Sequence, residues 1–346
     1  MKYCFDIESN GLLKETTKIH CIVSKDIDTG EVYTESVPKA LERLENAELI
    51  IGHNIIKFDI PVLRKLHGFK TKADIFDTLI ATRLIYPDIA GSDFAKQNFP
   101  RDCIGRHSLK AWGYRIGNYK GEYEGGFNKF TKAMLEYCIQ DVEVTAQLWL
   151  RIQQAGYSQQ AMELEHKVVT AIHEQEQHGF SFNVKKAQEL SAILNARLFE
   201  LNEELQSVFP PKLVRTAFTP KANNKTKGYV KGVPTFKEKI VPFNPASRQH
   251  IAERLTDLHK WEPTEFTADG KPKLDDAILS SLPYDEAKPL AEHFLLEKRI
   301  AQVANGKQAW LKCEVDGRIH GNCNTNSTVT GRASHTNPNL AQVPSV

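Results

Sequence analysis

The chain has 346 residues, room for two or three domains, and its 45 Lys plus Arg against 43 Asp plus Glu leave a net charge of +2. That balance excludes a uniformly basic, polyanion-coating surface but leaves room for local basic patches, and 41% hydrophobic with 25% charged residues describes a globular chain rather than a disordered one. No apolar run approaches the roughly 18–20 residues of a membrane helix, the opening MKYCFDIES has no signal-peptide core, and six scattered cysteines without a C-x-x-C pair fit a reducing cytoplasm. Neither G-x-G-x-x-G after a strand nor G-x-x-x-x-G-K-[ST] occurs, so phosphate-cradling loops are unsupported.

Residues 1–50 read as three strands and a helix: Lys2–Ile7, His20–Ser24, a turn at Asp28-Thr29-Gly30, Glu31–Thr34, and then a helix opened by Pro38 with Leu41 and Leu44 at helical spacing. Leu49–Gly52 suits a buried strand, Asp59–Leu66 a helix, and Lys129–Gln154 a long amphipathic helix. Strands alternating with helices imply an α/β layer with a strand hairpin at one edge. Two long periodic segments follow, Ala161–Gln177 and Val184–Phe209. They are separated by His178–Asn183, where Gly179 stops the first and Asn183 caps the second, and two long helices joined so briefly are expected to pack antiparallel. The histidines of His173–His178 are five apart and therefore about 140° apart on a helix, unlike the metal-binding H-E-x-x-H, so the segment reads as a solvated helix face. Pro210–Val241 reads as irregular and basic, either a solvated loop or an arm that tracks phosphates, with Lys225 and Lys227 at its middle. No closing element follows Asn339–Val346, so a domain beginning near Gly306 is expected to be unfinished.

The acidic residues fall into an ordered series. Asp6 and Glu8 stand two apart at the end of the first strand and present to one face, where the repulsion of two like charges is resolved by a divalent cation; a lone D-x-E is more often an ordinary surface pair. Asn54 and Asp59 follow a buried strand, at the carboxyl edge where α/β sheets bind ligands, and Asp59 is alternatively the N-cap of the next helix. Tyr137 and Asp141 share a helix face at i, i+4, or are simply a half-buried tyrosine with an exposed aspartate. Four carboxylates converging from two strand ends and a helix suit two Mg2+ ions roughly 3.5–4 Å apart for phosphodiester hydrolysis, with Mn2+ able to substitute and Tyr137 orienting the attacking water.

Asp6-x-Glu8, Asn54…Asp59 and Tyr137-x-x-x-Asp141 resemble the three exonuclease motifs of the DEDD superfamily in its tyrosine subtype. The rest of the chain resembles a family A DNA polymerase of the short-tailed phage type. His107–Gly117 is similar to a segment of the proofreading domain, His178–Asn183 to the junction entering the thumb, Phe243–His250 to the thumb's Asn-Ser segment, and Thr330-Gly-Arg-Ala-Ser334 with Pro338-Asn-Leu340 to the first palm motif. The resemblance implies an α/β, RNase H-like 3′–5′ exonuclease domain with a mixed sheet over 1–155. A mainly helical thumb over 156–305, with the basic loop 210–241, and the start of a palm over 306–346 are expected to follow. It assigns metal binding and catalysis to Asp6, Glu8, Asp59 and Asp141, with Tyr137 at the attacking water. DNA contacts fall to Leu12, a wedge against the terminal base, to Arg332 at the primer terminus, and to Asn54, Asn339, Lys225 and Lys227.

The implied partners are DNA, as single-stranded 3′ ends and primer-template, and a second chain supplying the remaining palm and fingers. Without the polymerase's own metal-binding aspartates this chain is not expected to polymerise. The stretch between Phe209 and Phe243 is too short for the insertion that captures thioredoxin in the best-known members, so thioredoxin is not predicted as a partner. Two other readings give different functions: a DNA-binding clamp component without activity of its own, and a stand-alone DEDD nuclease acting on RNA.

Overall fold

The computed structural model describes residues 1–119, 121 and 123–344. They form two compact units, one of residues 1–180 together with the stretch from His320 onward and the other of Ser181–Ile319, so residues 156–180 lie with the first unit and 306–319 with the second. The α/β class and mixed sheet expected from the sequence are present.

In the first unit, β1 (Lys2–Ser9), β2 (Ile19–Asp26), β3 (Val32–Tyr33), β4 (Leu49–Gly52) and β5 (Asp74–Asp77) form one sheet in the order β3-β2-β1-β4-β5. The β1–β2 and β2–β3 pairs are antiparallel, and β1–β4 and β4–β5 are parallel. β1 is thus a central strand covered on both faces. Tyr3, Phe5 and Ile7 join Leu44, Ile50, Ile55 and Leu63 in a core beneath α1 (Val37–Glu45) and α2 (Asp59–His67). On the opposite face Cys4 packs with Cys21, Val23, Ile51, Cys138 and Val142. Gly52 ends β4 where the chain turns tightly, and a Cβ there would collide with the Ile55 side chain.

α3 (Thr78–Ile85), α4 (Ala90–Phe94), α5 (Leu109–Ile116), α6 (Lys132–Gln154) and α7 (Gln159–His178) complete this unit, with a small hairpin of Asn322–Asn324 and Ser334–Thr336. α6 lies on β1, β2 and β4 and buries Met134, Cys138 and Val142 at intervals of four. It begins three residues later than the sequence pattern suggests because the Thr131 hydroxyl caps it, accepting the Met134 N–H at 3.0 Å. α7 packs against α3 and β5. Its His173–His178 stretch is not wholly a solvated face. Glu176, its side chain only 10% exposed, pairs with Lys57 Nζ at 2.7 Å and accepts the Cys323 N–H at 2.6 Å.

A two-residue strand, β6 (Phe180–Ser181), marks the change between units. In the second unit α8 (Val184–Val208), capped by Asn183 through the Lys186 N–H at 2.9 Å, packs on α11 (Ala287–Ile300). The antiparallel helix pair expected from the short junction is therefore replaced by two helices that each pack within their own unit. α9 (Arg248–His259) and α10 (Asp276–Ser281) close a core around Leu201, Leu205, Phe209, Phe243, Ile251 and Leu290.

The basic stretch 210–241 is not irregular. β7 (Lys212–Phe218) and β8 (Thr235–Val241) form an antiparallel hairpin in unbroken register from Lys212↔Val241 to Phe218↔Thr235. Arg215 lies opposite Glu238 and pairs with it at 2.7 Å, while Lys237 sits 4.3 Å over the Phe218 ring. Cross-strand pairing of this kind stabilises a ribbon that lysine content alone disguises as a loop. Among the described residues no helix is long and apolar enough to cross a membrane.

One ion pair in the first unit is fully enclosed. Asp93 accepts from Arg115 Nε at 2.9 Å and Nη2 at 2.7 Å and from the Gly105 N–H at 2.9 Å, with the two side chains 0% and 3% exposed. Asp93→Ala strands the guanidinium and is expected to cost about 3–5 kcal/mol. The expected reading is a lowered urea midpoint at unchanged slope, and a loss below about 1 kcal/mol would show that water reaches the arginine.

Candidate active site at the end of the first strand

A strand enclosed on both faces normally reads as continuous apolar sequence. β1 breaks that rule at Asp6 and Glu8, which follow Cys4 on the face covered by α6. Glu8 is 7% exposed and Asp59 3%. Asp59 is the first residue of α2. Phe58 occupies the capping position, and the Asp59 carboxylate accepts the Ile7 N–H at 3.3 Å. β4 pairs with β1 only as far as Cys4↔Ile51, so the end of β1 runs on beyond its neighbour, where Asp59 meets it. Asp141 and Tyr137 come from successive turns of α6 and are hydrogen-bonded to each other.

Burial, reinforced by the charges of Asp59, Asp141 and Glu8, pushes the Asp6 carboxyl far above the usual range. Burial, with Asp141 the largest charge nearby, raises Glu8 to about 8. Burial lifts Asp59 to about 7 and Asp141 to about 6, the latter opposed by the Tyr137 hydrogen bond. The Tyr137 phenol is raised by burial and by the Asp141 charge, so it stays a proton donor at neutral pH. No lysine, arginine or histidine among the described residues pairs with any of these carboxylates. Four acids without a counter-charge among the described residues form an oxygen-donor set that fits hard divalent cations.

The surrounding residues place the cluster. Asp77, buried at the end of β5, caps α3 through the Leu79 N–H at 3.0 Å and also accepts the N–H of Asn54 at 2.8 Å and of Ile56 at 3.1 Å. Asn54 has a left-handed φ of 67°, and its place in the fold is fixed by that backbone contact. Lys57 is held by Glu176 and by the Cys323 carbonyl at 3.0 Å. On the other side the loop after β1 is closed by Asn10, whose side-chain oxygen accepts the Thr17 and Lys18 N–H groups at 2.9 and 3.0 Å. Lys65 Nζ donates to the Leu13, Lys14 and Thr16 carbonyls at 2.8, 2.8 and 2.9 Å. Leu12 stands on this loop, 72% exposed. A cavity of about 240 Å3 adjoins Asp141 and Tyr137 and is lined by Tyr119, Tyr123, Phe127 and Gln140.

The structure therefore brings Asp6, Glu8, Asp59, Asp141 and Tyr137 together, with Leu12 and Asn54 on the flanking loops. Lys225 and Lys227 lie in the second unit, exposed in the connection between β7 and β8. Arg332 is exposed in the turn of the 322–336 hairpin, its N–H bonded to the Thr328 hydroxyl at 2.9 Å, and the Asn339 side chain accepts the Ala341 N–H at 3.0 Å. Sequence reasoning missed Asp77, Lys57–Glu176 and Lys65. Asp77-Thr78 ahead of an apolar stretch is a readable capping signal, but the partners of Glu176 and Lys65 come from distant segments.

Residues 215–346 match the family model described as DNA polymerase family A. The chain as a whole is similar to two phage DNA polymerases. It is 33% identical over 99% of its length to the DNA-directed DNA polymerase of Escherichia phage T7, and 32% identical over 99% to that of Enterobacteria phage T3, and it spans 62% of each. Among solved structures it is similar to the POL domain of Pol1 from M. smegmatis in complex with DNA primer-template and dNTP. The TM-score is 0.65 at 14% identity, over 99% of this chain and 52% of that one, a likeness of fold.

The raised carboxyl values carry a sign for stability. The folded metal-free protein holds protons that the unfolded chain releases near pH 4, so folding stability falls as pH rises from about 4 to about 8, the range set by Asp59, Asp141 and Glu8. The melting temperature in EDTA is expected to drop across that window. Millimolar Mg2+ or the charge-removing Asp59→Asn is expected to recover much of the loss at pH 8. A melting temperature that rises steadily over the window would contradict the cluster's electrostatics.

Proposed function

We propose that the first unit is an RNase H-like 3′–5′ exonuclease that removes nucleotides from DNA 3′ ends, carried in a portion of a phage-type replicative DNA polymerase. The observation that carries this reading is the convergence of Asp6, Glu8, Asp59 and Asp141, without a counter-charge among the described residues, beside a tyrosine that remains protonated. When bound by these carboxylates, two divalent ions, Mg2+ or Mn2+, supply an activated water and charge stabilisation at the scissile phosphate. The protein's part is positional. Asp59 is fixed through the Ile7 N–H, Asp141 is held by the Tyr137 hydroxyl, and Tyr137 keeps its proton to orient the attacking water.

The aromatic cavity beside Asp141 suits stacked terminal bases, and exposed Leu12 suits a wedge against the last of them. Asn54 borders the same end. Arg332 and Asn339 are assigned to the primer terminus, and the second unit to a thumb whose β7–β8 ribbon offers Lys225 and Lys227 to the phosphate backbone.

The purified chain with Mg2+ is expected to shorten 5′-labelled single-stranded DNA in single-nucleotide steps, and Asp6→Ala with Glu8→Ala to lower the rate by more than about a thousandfold. Tyr137→Phe is expected to lower kcat about ten- to a hundredfold with KM little changed. An intact oligonucleotide bound tightly would support a clamp component instead, and faster trimming of RNA than of DNA would support an RNA nuclease.

The ribbon makes a separate prediction. Lys225→Ala with Lys227→Ala is expected to weaken duplex binding for all sequences alike and to flatten the slope of log affinity against log salt by about one to two. Filter binding or anisotropy at several salt concentrations reads this, and an unchanged slope would remove the two lysines from the interface.

A further inference from the structure

The proposed mechanism leaves one group at the site unused. Cys138 follows Tyr137 on α6 and turns toward β1, where its Sγ–H donates to Asp6 Oδ2 at 3.5 Å and to the Asp6 carbonyl at 3.6 Å. Its sulfur and one carboxylate oxygen each of Asp6 and Glu8 all lie within 4.8 Å of one another. Cys21, opposite Glu8 in the β1–β2 register, is hydrogen-bonded to Cys138 through its own thiol. Glu8, 7% exposed as a residue, offers a carboxylate oxygen to this group and receives no hydrogen bond there from any described residue.

Magnesium takes oxygen ligands and leaves such sulfurs idle, whereas zinc and cadmium accept a mixed oxygen and thiolate set. Donors about 2.0–2.3 Å from one tetrahedral ion stand roughly 3.3–3.8 Å apart, so side chains within 4.8 Å of one another have at most about 1.5 Å to close. We infer that Asp6, Glu8 and Cys138, with Cys21 beside them, form a site for a thiophilic divalent cation of the zinc and cadmium class. Uptake forms a metal–Sγ bond and releases the Cys138 thiol proton to solvent, together with any proton that the Asp6 and Glu8 carboxyls hold. An ion held there occupies Asp6 and Glu8 and so blocks the exchange of Mg2+. This last consequence rests on the exonuclease reading; the capture of the ion does not.

The test is a Cd2+ titration of the purified full chain, followed by the ultraviolet charge-transfer absorption of cadmium bound to thiolate. The absorption is expected in the wild type and in a Cys313→Ser, Cys323→Ser control that lacks the two half-exposed thiols. Cys138→Ser is expected to lose most of it and to weaken Cd2+ binding, in competition with a chelator, by more than about tenfold. Cys138→Ala is the second variant should the serine substitution unfold. An absorption unchanged in the Cys138 variants, or lost in the control, overturns the inference. Cys138-dependent absorption in a chain that does not trim DNA with Mg2+ leaves the cation site standing and removes the exonuclease reading. Trimming without Cys138-dependent absorption does the reverse.

Discussion

Burying carboxylates on the core-facing side of a central strand is the constraint around which the first unit is arranged. One face of β1 does what an enclosed strand should, sending Tyr3, Phe5 and Ile7 into a well-filled apolar core. The opposite face begins the same way at Cys4 and then turns acidic at Asp6 and Glu8 while still under α6. Desolvation and mutual repulsion both oppose ionisation there, and no basic side chain among the described residues relieves them. A fold keeps such a defect only where the surrounding packing over-determines it, and here Cys4, Ile51, Val142 and the sheet register supply that packing.

The loops beside the acids are tied into the unit by many of their polar groups. Asp77 alone takes three backbone N–H groups and thereby ties the 53–58 turn to the start of α3, while its own N–H is accepted by His166 Nε2 at 2.7 Å from α7. Lys57 is clamped by Glu176 and the Cys323 carbonyl, so the turn that delivers Asp59 is fastened to the 322–336 hairpin as well as to the sheet. Polar networks of this kind specify one arrangement when every member is paired. A carboxylate cluster that must hold its geometry against repulsion needs such neighbours more than an apolar site does.

Much of this was legible in the residues, and the parts that were not share a cause. The i, i+2 pair on β1 and the i, i+4 pair on α6 are short-range geometry, so Asp6, Glu8, Tyr137 and Asp141 could be placed on common faces without tertiary knowledge. Leu49–Gly52 and the helix from Asp59 followed from pattern in the same way. Glu176 sits among His173, Glu174, Gln175 and Gln177, and its distant partners, Lys57 119 residues away and the Cys323 N–H 147 away, make it an interior group. β5 reads as Asp-Ile-Phe-Asp, whose two acids resemble a turn until the second is seen to hold three amides. By spacing alone Cys138 is one more apolar position of α6, and its contact with Asp6 belongs to the fold rather than to the sequence pattern.

The β7–β8 ribbon shows the opposite economy. Its strands are exposed along most of their length, Leu213, Phe236 and Ile240 included, so burial supplies little of its stability and cross-strand pairs such as Arg215 with Glu238 supply more. A two-stranded hairpin of this kind is marginal in isolation. Seven residues of strand project the turn bearing Lys225 and Lys227 roughly 20 Å along the ribbon from its base at Lys212 and Val241. Asn224 fixes that turn by accepting the Lys227 N–H at 3.0 Å, and Gly228 closes it in the left-handed region at a φ of 68°. Cations held at the end of a thin arm gain little from the protein to which they are attached. Neither lysine pairs with a carboxylate among the described residues, and the fold leaves both charges open to solvent.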